Sequence, residues 1–190
     1  MANAKGADEQ KLYHLLVHDA GLGAFWLHLE MNGEATLKKL DDYLRTIWLD
    51  CCGHLSHFAI GDGWRGSKVG MSRKAGQLFS PGLELTHLYD YGTTSETVVK
   101  VVGMRAGRPL TKHPIALMAR NQIPAAPCKE CGEQAKFLCL ECLYEEDESG
   151  LLCAKHAEDH PHHNYGEPLP FVNSPRVGMC GDVSPAEPPY

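Results

Sequence analysis

The sequence has no apolar run approaching the roughly 18–20 residues that span a bilayer. It carries no hydrophobic leader, so a soluble, cytoplasmic protein with reduced thiols and no membrane partner is expected. Positive charge is scarce in one part of the chain. Residues 128–190 hold 4 Lys+Arg against 12 Asp+Glu, whereas residues 1–127 hold 14 against 12. The C-terminal third is therefore acidic and poorly suited to gripping a phosphate backbone. The 190 residues bound the chain to one ordinary domain plus a small appendage. At 43% hydrophobic content the larger part can bury a core.

Cysteine, by contrast, is concentrated. Five of the eight cysteines fall between 128 and 153. They read Cys128-x2-Cys131-x7-Cys139-x2-Cys142-x10-Cys153-x2-His156-x3-His160, followed by His162 and His163. A two-residue gap brings both side chains of a pair to the same side, where they can share one tetrahedral ion. Two CxxC pairs, a CxxH and closing histidines supply eight ligands, enough for two closed structural zinc sites. A disulfide framework needs an oxidising compartment. A redox CxxC opens a helix after a strand, and Pro127 and Lys129-Glu130 give no such context.

The ligand order resembles B-box-like cross-brace fingers. That resemblance implies interleaved sites: Cys128, Cys131, Cys153 and His156 at one, and Cys139, Cys142, His160 and His162 or His163 at the other. Cys180 is a further candidate for the last position. The alternative is one ribbon-like site from the first four cysteines. The gap between the CxxC pairs suits a short hairpin turning at Gly132.

Upstream, the pattern predicts a leader over 1–23 with a helix from Asp8 to Ala20, using Leu12, Leu15 and Leu16 as one side. Ala24–Met31 reads as a strand. Thr36 offers a cap for a helix to about Leu49, whose Leu37, Leu40, Leu44, Ile47 and Trp48 form one buried stripe, with Gly53 as the stop. Leu55–Ile60 reads as a strand, Trp64–Ser80 as a long loop with a short helical turn. Leu83–Tyr91 and Thr97–Met104 form a hairpin, with Leu83, Leu85, Tyr89 and Tyr91 on one face. Ile115–Ala119 is one more strand. Pro124–Pro127 is a stiff linker. Leu169–Val172 is placed at a sheet edge, and 182–190 is a disordered tail. The fold class is α+β: an antiparallel sheet with a packed helix over 24–123, and a small double-zinc finger with a return segment over 124–181.

Four segments resemble a known family: TLKKLDDYLRTIWLDCCGHLSHFAI (36–60), SPGLELTHLYDYGTTSETVVKVVG (80–103), ALMARNQIP with the adjoining CxxCG (116–132), and LPFVNSPRVGMCG (169–181). Together they are similar to the plasmid pRiA4b ORF-three-like proteins, related to passenger proteins of insertion elements. The resemblance implies a compact α+β domain around an antiparallel sheet and no established activity. Many members follow their YDFG-like motif with Asp-x-Trp-x-His. Here YDYG (89–92) is followed by Thr93, Thr94, Ser95, Glu96 and Thr97, so no role for that Trp and His transfers. The finger marks a subgroup.

Other chemistry is weaker. Cys51, Cys52, His54 and His57 contain a possible Cys-His nucleophile, but no orienting acid follows from spacing. The plainer reading is a helix end with small buried thiols. Asp90 at a hairpin end most simply bonds backbone amides. Asn173-Ser174-Pro175-Arg176 fits a ligand loop or an interdomain turn equally. The expected function is a non-enzymatic, zinc-binding interaction module that binds a protein partner through the acidic finger. The alternative is a mobile-element nucleic-acid binder using Arg65, Lys68, Arg73, Lys74, Arg105, Arg108, Lys112 and Arg120. A metal-dependent hydrolase or nuclease using Asp90 comes third.

Overall fold

A computed structural model describes residues 9–50 and 52–181. Seven strands form one antiparallel sheet: β1 (Gln10–Asp19), β2 (Trp26–Asn32), β3 (Ser56–Ile60), β4 (Ser67–Val69), β5 (Glu84–Tyr89), β6 (Ser95–Gly107) and β7 (Ile115–Arg120). Their spatial order is β4-β3-β5-β6-β1-β2-β7. Helix α1 (Leu37–Ile47) covers one face, and the single-turn α2 (Ala75–Leu78) lies beside it. The architecture is thus mixed α and β, built on a large antiparallel sheet.

The helix forms where the capping and stripe residues require it. The Thr36 side chain accepts from the Lys39 amide, which satisfies one of the amides left open at a helix start. Leu37, Leu40, Leu44 and Ile47 are fully buried, and Trp48 is 2% exposed. They meet Tyr13, Leu15 and Val17 of β1, Leu27, Leu29 and Met31 of β2, Phe58, Leu85, Val99 and Val101. Gly53 does not end this helix. Leu49 turns left-handed at φ 60°. The Leu49 and Asp50 amides then bond the Thr46 and Arg45 carbonyls at 3.3 and 2.8 Å. This is the Schellman pattern, with leucine in glycine's usual place. Its consequence is positional: Asp50 is buried, facing Arg176 of the return segment.

The expected helix over Asp8–Ala20 is a strand where the structure describes it. β1 pairs with β2 on one side and β6 on the other. Leu12, Leu15 and Leu16 fit a helical face, but Tyr13, Leu15 and Val17 also alternate with His14, Leu16 and His18. Two neighbouring strands favour the period-two pattern. From Gln10 to Asp19 the expected leader therefore lies inside the sheet; residues 1–8 lie outside the described residues. The loop expected over 64–80 contributes edge strand β4. The tail at 182–190 and Cys51 lie outside the described residues.

The finger has its own small sheet: β8 (Phe137–Leu138) between β9 (Leu151–Leu152) and β10 (Leu169–Pro170). Helices α3 (Leu140–Glu145) and α4 (Ala154–Glu158) complete it. β10 thus pairs within the finger and leaves the large sheet alone. Beyond it, the return segment bonds the main domain. Asn121 Nδ2 donates to Asn173 Oδ1 at 2.7 Å, and Asn173 Nδ2 donates to the Asn121 backbone carbonyl at 3.0 Å.

Candidate metal centre

Several of the candidate donors between 128 and 162 are placed by local backbone devices. Gly132 turns the first loop at φ 78°, and its amide bonds the Cys128 carbonyl at 2.9 Å. Cys139 caps α3, its sulfur accepting from the Cys142 amide. Gly150 is a close approach: a Cβ there would stand 2.4 Å from the Cys139 carbonyl oxygen. Cys153 precedes α4, which carries His156; His160 and His162 follow it.

These devices gather two four-donor clusters: Cys128, Cys131, Cys153 and His156, and Cys139, Cys142, His160 and His162. Donor atoms within each lie within 4.8 Å of one another. Sulfur and imidazole bonds to zinc of about 2.3 and 2.0–2.1 Å imply tetrahedral edges of about 3.8 Å for S–S and about 3.6 Å for S–N. In the first cluster Cys131 Sγ stands 3.8 Å from Cys153 Sγ. His156 Nδ1 stands 3.5 Å from Cys128 Sγ and 3.4 Å from Cys153 Sγ. In the second, Cys142 Sγ lies 3.3 Å from His160 Nε2 and 3.2 Å from His162 Nδ1. His162 Nδ1 is 3.8 Å from Cys139 Sγ. The donor sets therefore fit a tetrahedral divalent ion.

The clusters interleave, so the ribbon grouping of the first four cysteines does not form. His163 is turned out, 62% exposed, toward Glu167. Cys180 lies elsewhere, its carbonyl 3.8 Å from Cys52 Sγ at the far end of the return segment. The apolar cluster around the donors is small: Cys128, Cys139, Cys142, Cys153, Leu152 and Ala157, with Phe137 against them. A core this small needs an added staple such as metal.

Two neighbours escaped the sequence reading. Lys129 Nζ lies 3.3 Å from Cys142 Sγ and also pairs with Glu148. It occupies the middle of the third acidic grouping, Cys142, Glu146 and Glu148, so a cation is already there. Glu146 Oε1 is 3.3 Å from His162 Nε2, the ring nitrogen facing away from the cluster. A carboxylate in that place fixes the tautomer that leaves Nδ1 free to bind metal. Burial opposes ionisation of Cys128, but the amides of Cys153, Glu130 and Cys131, with His156, bring its thiol down to about 6. Burial pushes Cys142 up to about 11, against Lys129. A bound cation would reverse that by taking the thiolate.

The main domain holds a second polar cluster. Asp41, 1% exposed, accepts from Ser56 Oγ at 2.7 Å, His87 Nε2 at 2.9 Å and Arg45 Nε at 3.1 Å. Burial works against its charge, but His87 and Ser56 hold the carboxyl well below the usual range. Burial lowers His87, so a neutral ring donates to a carboxylate. Nearby, Arg176 donates to Asp90 at 3.0 Å, to the Thr93 carbonyl at 2.7 Å and to Ser95 at 3.2 Å. Asp90 bonds the Gly92 amide, as its place in a turn suggested, and stands 3.2 Å from His54 Nδ1. Asp50 faces Arg176 Nε across 4.0 Å. Cys52 is exposed and so is not a small buried thiol. Asp90's distant partners were invisible in the sequence, because Arg176 lies 86 residues away.

Fold and clusters together define an α+β protein with two metal-competent Cys/His centres. No family model and no curated protein matches the chain. A solved structure that does resemble it is a protein of unknown function, MM3350, from Methanosarcina mazei Go1. It aligns with a TM-score of 0.50 and 18% identity, over 58% of this chain and 70% of that one. At that identity the likeness concerns the fold alone. Among the described residues no helix is long and apolar enough to cross a membrane.

Proposed function

We propose that the chain is a non-enzymatic interaction module whose finger is folded by two structural zinc ions and binds a protein partner. The observation that carries this reading is the pair of interleaved four-donor clusters with tetrahedral edge lengths. Cys₃His and Cys₂His₂ sets are the donors of structural zinc, and four protein donors leave no open position for a substrate or reactive water. The finger stays acidic when loaded, since five thiolates slightly outweigh two zinc ions. A folded acidic surface is suited to a basic protein segment and not to a polyphosphate. Membership of the plasmid ORF-three-like family belongs to the same proposal. It is supported by the contacts that the last similar segment makes with the other three: Arg176 faces Asp50 and Asp90, and Asn173 bonds Asn121.

Elemental analysis should find two zinc ions per chain. Cobalt substitution should give two tetrahedral spectra, one richer in thiolate. One ion per chain, or a metal-bound water that exchanges with added anions, would overturn the closed structural sites. For the partner, the zinc-loaded full chain should retain a specific protein that chelation or Cys142→Ser releases. Retention unaffected by either treatment would remove the finger from the interaction.

A further inference from the structure

The finger leaves one built feature of the main domain unexplained, at the β4 edge of the sheet. Trp64 is 50% exposed and Tyr91 39%, and their rings stand edge to face with centroids 5.1 Å apart. Large aromatics held out in water need a holder, and here it is His57, 7% exposed. His57 Nε2 meets the Gly63 carbonyl at 2.8 Å, which fixes the loop carrying Trp64. A carbonyl only accepts, so Nε2 carries the proton. In the neutral ring Nδ1 then accepts from the Tyr91 hydroxyl, at 2.6 Å. One buried ring thus clamps both exposed ones. Gly63 is required, because a Cβ there would stand 2.8 Å from Leu88. Asp90, at φ 63°, breaks the strand's alternation and throws Tyr91 to the side of His57. Tyr91 therefore does not share a face with Leu85 and Tyr89.

Two cations flank the pair. Lys68 Nζ lies 6.0 Å from the centre of the Tyr91 ring, and Arg65 is exposed beside Trp64. The two carboxylates that adjoin the pair in sequence are engaged internally. Asp62 accepts from the Trp64 and Arg65 amides at 3.0 and 2.7 Å, and Asp90 is held by Arg176 and Gly92. Flat aromatic faces beside unpaired cations are the arrangement that stacks unpaired bases and follows the phosphates between them.

We propose that Trp64 and Tyr91, clamped by His57 and flanked by Lys68 and Arg65, form a contact site for single-stranded nucleic acid. The site is separate from the finger, so it adds a second activity to the module. The bases stack on the two rings while the cations neutralise the backbone.

The test uses the zinc-loaded full chain and a short labelled oligothymidylate, followed by fluorescence polarisation at several salt concentrations. Trp64→Ala and Tyr91→Ala should each weaken binding by on the order of ten-fold. Tyr91→Phe keeps the ring and should lose less. Lys68→Ala should flatten the slope of log affinity against log salt by about 0.7. Arg108→Ala, beyond the opposite end of β6, should leave the slope unchanged. Zinc content and circular dichroism confirm that each variant is folded. Binding that is indifferent to both aromatic changes, or a duplex bound tighter than the single strand, overturns the proposal. So does a salt slope that responds equally to Lys68 and Arg108, since binding would then be diffuse.

Discussion

Replacing Asp50 by asparagine should stabilise the protein above neutral pH and change little near pH 4. Asp50 is 7% exposed, and its Oδ1 has no hydrogen-bond partner. Arg176 Nε stands off at 4.0 Å, too far for a direct bond. Burial pushes the carboxyl up to about 7, with Arg176 and Arg45 opposing. An unfolded aspartate titrates at about 3.9. Between those values the folded state holds a proton that the unfolded state has released. Stability from this group is therefore full below about pH 4, falls as pH rises to about 7, and is flat above. A gap of about three units corresponds to about 4 kcal/mol. Asparagine fills the same space and carries no charge to bury, so that slope should vanish. Urea unfolding of both proteins at about pH 5 and about pH 8, in excess zinc, reads the effect. Only the difference between the proteins matters, because the finger's own titration is common to both. A difference that does not change with pH would refute the reasoning. A variant that loses stability as pH rises would show an ionised Asp50 paired with Arg176.

Trp48→Ala should cost about 3–5 kcal/mol in chemical unfolding, because the indole is 2% exposed at the end of the helical stripe; a cost near zero would mean that this face serves a partner. Lys129→Met should weaken the second metal site by roughly 10–100-fold in chelator competition, since its ammonium faces Cys142. An unchanged affinity would reduce Lys129 to a surface ion pair. Cys128→Ser should unfold the finger and leave the seven-stranded sheet largely protected from hydrogen exchange; loss of protection throughout would reveal one shared core.

Periodic and spaced features were readable in the chain. The α1 stripe from Leu37 to Ile47 repeats at helical spacing and has its cap at Thr36. The CxxC pairs carry their geometry in their gaps. β1 was misread because Leu12, Leu15 and Leu16 fit a helical face while Tyr13, Leu15 and Val17 fit a strand, and only pairing on both sides selects one. The end of α1 was misplaced because leucine at 49 does glycine's work, against local preference. The network of Asp50, Asp90 and Arg176 had no signature at all. Its members come from a helix end, a hairpin and the return segment, and only the tertiary fold brings them together. Asp41 and Arg45 did share helical spacing, yet that spacing more often marks a solvated pair than a buried one.

Spacing could not separate His162 from His163, and Cys180 was a third candidate; the geometry gives a different fate to each. His162 Nδ1 points at Cys142 and Cys139, with Glu146 behind its other nitrogen. His163 Nδ1 is 3.3 Å from Glu167, at the surface. His162→Ala should leave three protein donors at the second site and open its fourth position to water. A structural site becomes an exchangeable one, so half of the zinc should pass quickly to a chromophoric chelator while the first site releases slowly. His163→Ala and Cys180→Ser should both retain two slowly released ions. Cys139→Ser should behave as His162→Ala does, because it also removes one donor from the same tetrahedron. Fast release from the His163 or Cys180 variant, or slow release from the His162 variant, would show that the second tetrahedron closes through a different side chain.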